Sequence, residues 1–201
     1  SVNGSPFEID KDDRRLADIF GRRVAETGLP LAFLNRIGGQ DEIVFDGCSF
    51  VLGANGELRH RLVDWDHEER VTRWTKQADG RWDCDSGEIA EWEAHPGDIY
   101  HAMVISLRDY VERNGFPGVL LGLSGGIDSA LCAAVAADAL GPDKVWSVML
   151  PSRYTSDESL DDARGCAEMI GCRLDTISIA PAVDAFDQML APSFAGKAAD
   201  S

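Results

Sequence analysis

Residues 12–27 place Leu16, Ile19, Phe20 and Val24 at helical spacing. Asp12 or Asp13 can cap the start, and Gly28 with Pro30 stops the run. Short apolar runs at 31–35, 42–45, 49–52 and 58–63 follow, separated by Gly38-Gly39, Asp46-Gly47 and Ala54-Asn55-Gly56. This pattern predicts an antiparallel meander, with 71–74 as a further strand. Periodicity then fails over 76–97, which reads as a linker or surface crossing anchored by Trp74, Trp82 and Trp92. From residue 98 the pattern alternates. A helix over 98–114 has Ile99, Met103, Leu107 and Val111 on one face and is stopped by Gly115 and Pro117. Strands at 119–123, 144–150 and 174–179 then alternate with helices at 129–140, 157–170 and 182–190. Such alternation predicts a parallel sheet with right-handed crossovers, whose ligands sit beyond the C-terminal strand ends. The loops after Leu123 and Leu150 lie on that edge.

Composition narrows the partners. The 201 residues are 44% hydrophobic and 27% charged, enough for one or two domains with buried cores. A net charge of −16, spread along the whole chain, opposes nonspecific binding to nucleic acid or anionic membrane. No apolar run is long enough for a membrane span. The start, Ser1-Val2-Asn3-Gly4-Ser5-Pro6, lacks Met and is not a signal peptide; it reads as a cut through a longer protein, and 196–201 trails off without a closing element. Cys48, Cys84, Cys132, Cys166 and Cys172 form no CxxC pair and share no metal spacing with His60, His67, His95 or His101. Free thiols in a reducing cytoplasm account for them, with Cys132 and Cys166 in apolar helical patterns as core residues.

The candidate chemistry centres on Leu121-Gly122-Leu123-Ser124-Gly125-Gly126-Ile127-Asp128-Ser129. A strand leads in and an Ala-rich helix leads out. Two glycines let backbone N–H groups converge, and the helix start adds positive dipole, so an anion belongs there. The anion is assigned as the pyrophosphate part of ATP. No Lys follows the glycines, so the loop is not of the Walker type. It resembles the PP-loop of ATP pyrophosphatases, which cleave ATP to AMP and pyrophosphate. The plainer reading is an ordinary strand–turn–helix corner. Asp128 has two readings: a Mg²⁺ ligand, since an acid at a phosphate site calls for a cation, or a helix cap. In the second loop, 151–159, Arg153 can pair with a phosphate, while Thr155, Ser156 or Asp157 can cap the next helix with Glu158 in its first turn. Both readings of that loop can hold together.

Four segments narrow the resemblance: 109–116, 122–130, Asp138-Ala139-Leu140-Gly141, and Met149-Leu150-Pro151-Ser152-Arg153-Tyr154-Thr155-Ser156. Together they closely resemble glutamine-dependent NAD synthetase. Asn3-Gly4-Ser5-Pro6-Phe7 with Lys11, Gly38-Gly39-Gln40-Asp41-Glu42, and Phe45-Asp46-Gly47 resemble the end of that family's nitrilase-type glutaminase domain. The resemblance implies an α/β chain: residues 1–75 as the C-terminal part of a nitrilase-like α+β sandwich, 76–97 as linker, and 98–201 as the first part of a doubly wound, adenine nucleotide α-hydrolase-like synthetase domain. It implies ATP-dependent amidation of deamido-NAD through an NAD-adenylate, using ammonia released from glutamine. It also implies that Gly122, Leu123, Ser124, Gly125, Gly126, Ile127, Asp128 and Ser129 cradle ATP, that Asp128 binds Mg²⁺, that Ser5 and Lys11 contact glutamine, and that the protein is a cytoplasmic homo-oligomer. The glutaminase Glu, Lys and Cys have no match here, so the chain by itself is expected to be catalytically incomplete. Competing readings are another PP-loop amidotransferase or thiolation enzyme, and a nucleotide-binding fragment without turnover.

Overall fold

Helix formation near the N-terminus follows the expected apolar spacing, but its winding differs. The computed structural model describes residues 1–11 and 14–196, so the predicted caps Asp12 and Asp13 and the residues from 197 onward lie outside the described residues. A π-helical turn, Arg14–Gly21, runs into helix α1, Arg22–Thr27. Gly28 ends α1 at φ 63°, donating its N–H to Val24 O. The wider turn rotates the buried face. Val24 is in the core, whereas Ile19, expected on that face, is exposed and Arg15 is buried instead.

Residues 1–114 and 115–201 form two compact units. In the first, β1 (Val2–Asn3) pairs in parallel with β2 (Leu31–Asn35), β2 is antiparallel to β5 (Phe50–Leu52), and β5 to β6 (Leu58–Arg61). The expected simple meander is therefore interrupted. β3 (Ile37–Gln40) and β4 (Ile43–Asp46) make a hairpin of their own. Gly38 and Gly39, predicted as a turn, lie in β3; the turn falls at Asp41, with φ 51°. Phe20, Phe33 and Phe50 interlock with ring centroids 4.7 to 5.8 Å apart over Val24 and Leu52.

Beneath this core the Arg15 guanidinium meets Asp46 at 2.7 Å, both side chains 2% exposed. Asn35 Nδ2 donates to the other Asp46 oxygen at 3.0 Å. A buried pair stripped of one partner leaves an uncompensated charge. Asp46→Ala should therefore lower unfolding stability by about 3–5 kcal/mol, read from urea melts. An unchanged midpoint would refute the structural role of this pair.

The segment expected as a linker has regular structure at its start: β7 (Trp74–Lys76) pairs with β8 (Trp82–Cys84). Trp82 and Trp92 stay largely exposed, so aromatic burial does not fix this segment. Arg61 does: it is fully buried, donates to Ala90 O and Glu91 O at 3.1 and 2.8 Å, and lies 3.7 Å from the Trp92 ring centre. Helix α2, Gly97–Arg113, also belongs to this first unit. Its Ala102 and Ile105 bury against Trp65, Phe7 and Val44. Asp109 accepts the Gly39 N–H at 2.8 Å, and Arg113 donates to Gly39 O. Met103, expected inside, is exposed.

The second unit follows the predicted alternation closely. β9 (Val119–Gly122), β10 (Val145–Met149) and β11 (Arg173–Thr176) form a parallel sheet in the order β11-β10-β9. Helices α3 (Ile127–Leu140), α4 (Asp157–Ile170) and α5 (Ala180–Leu190) follow the successive strands. The core joins Leu123, Ala133, Met149, Ala163 and Ala167, with small residues letting helix and sheet approach closely. Cys166 packs on this core as expected, while Cys132 is exposed on α3. No described helix is long and apolar enough to cross a membrane.

Candidate functional site

The C-terminal edge of the parallel sheet carries a cavity of about 400 Å³. Gly122 and Ser124 line it from the end of β9, Met149 and Leu150 from the end of β10, and Tyr154, Ser156 and Ser159 from the following segment. Both loops singled out in the sequence thus reach one cavity. Leu123 also borders it, but its side chain is buried in the core and its N–H donates to Val148 O at 3.0 Å, which leaves it no free donor for an anion.

The loop is shaped from within. Ser124 N donates to Ser129 Oγ at 3.2 Å, the two hydroxyls lie 3.1 Å apart, and Ser129 Oγ donates to Gly126 O at 2.9 Å. Gly125 sits at φ 81°, and a Cβ there would come within 2.9 Å of the Ser159 carbonyl carbon and Cα, and nearer still to its oxygen. A side chain is excluded at this position by both conformation and space. Gly126 is the N-cap of α3, and no side chain caps that helix. At α4 the reverse holds: Ser156 is the N-cap and accepts the Ser159 N–H at 3.2 Å. Of two helix starts on this edge, one has a side-chain cap and the other has none, the arrangement that suits an anion.

Asp128 stands exposed in the first turn of α3, where it adds a carboxylate without serving as the cap. Among the described residues no group of three or more His, Cys, Asp and Glu is placed to hold a metal ion. A carboxylate in this place would suit Mg²⁺ if phosphate bound at the helix start, since Mg²⁺ uses one or two carboxylates and takes its remaining ligands from phosphate oxygens and water. Gly125, Gly126 and Ile127 border a second, mainly apolar hollow between α3 and α4, and Ile127 is exposed.

Arg153 lies on the 151–156 segment but is engaged elsewhere. It pairs with Asp184 at 2.8 Å and with Asp187, both on α5, and donates to the Tyr154 hydroxyl at 3.0 Å. The Asp187 hydrogen bond raises its already high pKa. Asp184 and Asp187 escaped the sequence reading, in which Ser159 figured only as the end of the 151–159 loop. Ser159 had one visible signal, the Ser-x-x-Ser spacing of a cap, whereas the two acids lie 31 and 34 residues from Arg153 with no local cue.

In the first unit, Ser5 and Lys11 occupy one loop. The Ser5 N–H donates to Asn35 Oδ1 at 2.8 Å, and its carbonyl accepts from Arg15 at 3.0 Å. Lys11 Nζ donates to Pro6 O at 2.9 Å and pairs with Glu8 at 2.7 Å. That hydrogen bond, with the Lys11 charge, holds the Glu8 carboxyl below its usual range. The loop is thereby tied to the buried Arg15–Asp46 pair.

Comparison with known proteins gives this architecture its context. A glutamine-dependent NAD(+) synthetase of Rhodobacter capsulatus is 49% identical over 98% of this chain, and that of Acinetobacter baylyi is 38% identical over all of it. The chain spans 36% of the length of each. The solved structure of a glutamine-dependent NAD+ synthetase from Acinetobacter baumannii, in complex with ADP, superposes with a TM-score of 0.89. It shares 38% identity over 98% of this chain and 37% of its own. An enzyme from Cytophaga hutchinsonii at 18% identity shares the fold, with a TM-score of 0.74 over 96% of this chain and 38% of its own. The NAD synthase family profile matches residues 99–200, about half of the sequence, beginning inside α2. The chain belongs to the NAD synthase family.

Proposed function

We propose that the protein containing this chain is a glutamine-hydrolysing NAD synthase, using ATP and Mg²⁺ to amidate deamido-NAD with ammonia drawn from glutamine. The observation that carries this reading is the start of α3 without a side-chain cap, at the end of the Ser124-Gly125-Gly126 loop that leaves β9 at the C-terminal edge of a parallel sheet. In this reading residues 1–75 are the end of a nitrilase-like glutaminase domain, 76–97 the linker, and 98–201 the first part of the synthetase domain. Soluble cytoplasmic homo-oligomers belong to the same proposal.

The chemistry explains the residues. A carboxylate is a poor electrophile, and transfer of AMP to it creates a good leaving group that ammonia displaces, with release of AMP and pyrophosphate. The stretch Gly122 through Ser129 holds the phosphates, chiefly through backbone N–H groups from Gly125 onward, since those of Leu123 and Ser124 already donate to Val148 O and Ser129 Oγ. Asp128 holds Mg²⁺, which would neutralise charge developing on the departing pyrophosphate. Ser124 and Ser129, already bonded to each other, keep the loop open before ligand arrives, so little reorganisation is needed. In the other unit, Lys11 offers its ammonium to the α-carboxylate of glutamine, exchanging Glu8 for the substrate.

Two assays of the full-length protein test this reading. NAD should form from deamido-NAD, ATP and either glutamine or ammonia, with one AMP per NAD; ADP as the nucleotide product would refute it. Lys11→Ala should raise KM for glutamine roughly 10- to 100-fold, the worth of one charge-assisted hydrogen bond, and leave the ammonia route unchanged. Equal damage to both routes would remove Lys11 from the glutamine site.

A further inference from the structure

We propose that Arg153, clamped by Asp184 and Asp187, is a positioning residue that holds the Tyr154 ring as one wall of the 400 Å³ cavity, where it packs against bound nucleotide. This inference rests on the nucleotide-binding reading of that cavity.

Tyr154 lines the cavity yet is 78% exposed, an unusual position for a large aromatic side chain that borders a site. The backbone of its loop is fixed locally. Ser152 N donates to Thr155 Oγ1 at 3.0 Å, Thr155 N to Ser152 O at 3.1 Å, and Tyr154 N to Ser152 Oγ at 3.2 Å. None of these bonds orients the ring. Arg153 does so twice, donating to the hydroxyl at 3.0 Å and lying 4.9 Å from the ring centre. Arg153 is in turn anchored on α5 by two carboxylates one helical turn apart.

Charge distinguishes this role from direct phosphate binding. One guanidinium between two carboxylates carries a local net charge of about −1, which a phosphate would have to displace before reaching Arg153. An aromatic ring with an open face suits the base of a nucleotide. Because all the charged members are exposed, the clamp is weak and sensitive to salt.

The test measures ammonia-driven NAD synthesis by the full-length protein with ATP varied. The double variant Asp184→Asn/Asp187→Asn should raise KM for ATP roughly three- to tenfold, with kcat within about twofold. Arg153→Met and Tyr154→Ala should do the same, and Arg153→Met added to the double variant should do no further harm. Arg153→Lys, which keeps a cation between the two carboxylates and beside the ring, should restore part of the loss seen with Arg153→Met, which a merely structural defect would not allow. Raising ionic strength should increase KM for the unaltered protein more than for the double variant. Wild-type KM in the carboxylate variants would overturn the clamp alone. Loss on Arg153→Met with intact carboxylate variants would make Arg153 a direct nucleotide ligand. Absence of ATP-dependent turnover in the unaltered protein would overturn the nucleotide reading and this inference with it.

Discussion

Asp128→Ala in the full-length protein is expected to lower NAD synthesis by about 10²- to 10³-fold with glutamine and with ammonia alike, the loss typical of removing one preorganised electrostatic partner. In the proposed mechanism both routes suffer, because adenylation precedes the use of ammonia from either source. The side chain is exposed and caps nothing, so its removal should leave the fold and melting temperature unchanged. A variant that melts normally and still makes NAD from ammonia at the wild-type rate would exclude Asp128 from the metal site. Asp128→Asn separates charge from shape: it keeps the side-chain volume and should be nearly as damaging.

The second large effect is steric. Gly125→Ala should reduce ATP-dependent activity by about a hundredfold or more and lower the melting temperature by a few degrees. Its φ of 81° costs an L-residue about 1–2 kcal/mol, and the new Cβ strikes the backbone of Ser159. Relief requires the Ser124-Gly125-Gly126 loop to move away from the first turn of α4, which also shapes the cavity. Gly126→Ala is the informative neighbour. There a Cβ meets nothing nearer than Ser124 Oγ at 3.5 Å, and φ is −84°, so stability should be unchanged. Similar melting temperatures for the two variants would contradict the packing of Gly125 on α4.

The alternating half was readable because its signals are local. Apolar runs, Gly and Pro stops and an ST-type cap delimit α4 at Asp157–Ile170, the range expected from sequence. The first unit resisted for identifiable reasons. Gly38-Gly39 has the composition of a turn, but Asp109 and Arg113 bind the backbone of Gly39 from about 70 positions away. Arg15 carries no local sign of burial because its partner, Asp46, comes from β4, 31 residues away. The three tryptophans near the expected linker suggested anchoring by burial, whereas Arg61 grips that segment through carbonyls. At the candidate site the Gly122–Ser129 loop was legible as a contiguous strand–turn–helix motif. The engagement of Arg153 was not, since both of its acids arrive with α5.

Helix α2 has a practical consequence for taking the protein apart. The family profile begins at residue 99, and a cut placed there would seem natural. It would carry away the side chains that cover Trp65 and the acid that holds Gly39, leaving an open wound on the N-terminal piece and a greasy, orphaned helix on the other. Severing between Asn114 and Gly115 keeps that helix with its own bed. Sequence kinship and mechanical integrity therefore draw their borders about sixteen residues apart in this chain, and an insertion or fusion should respect the second.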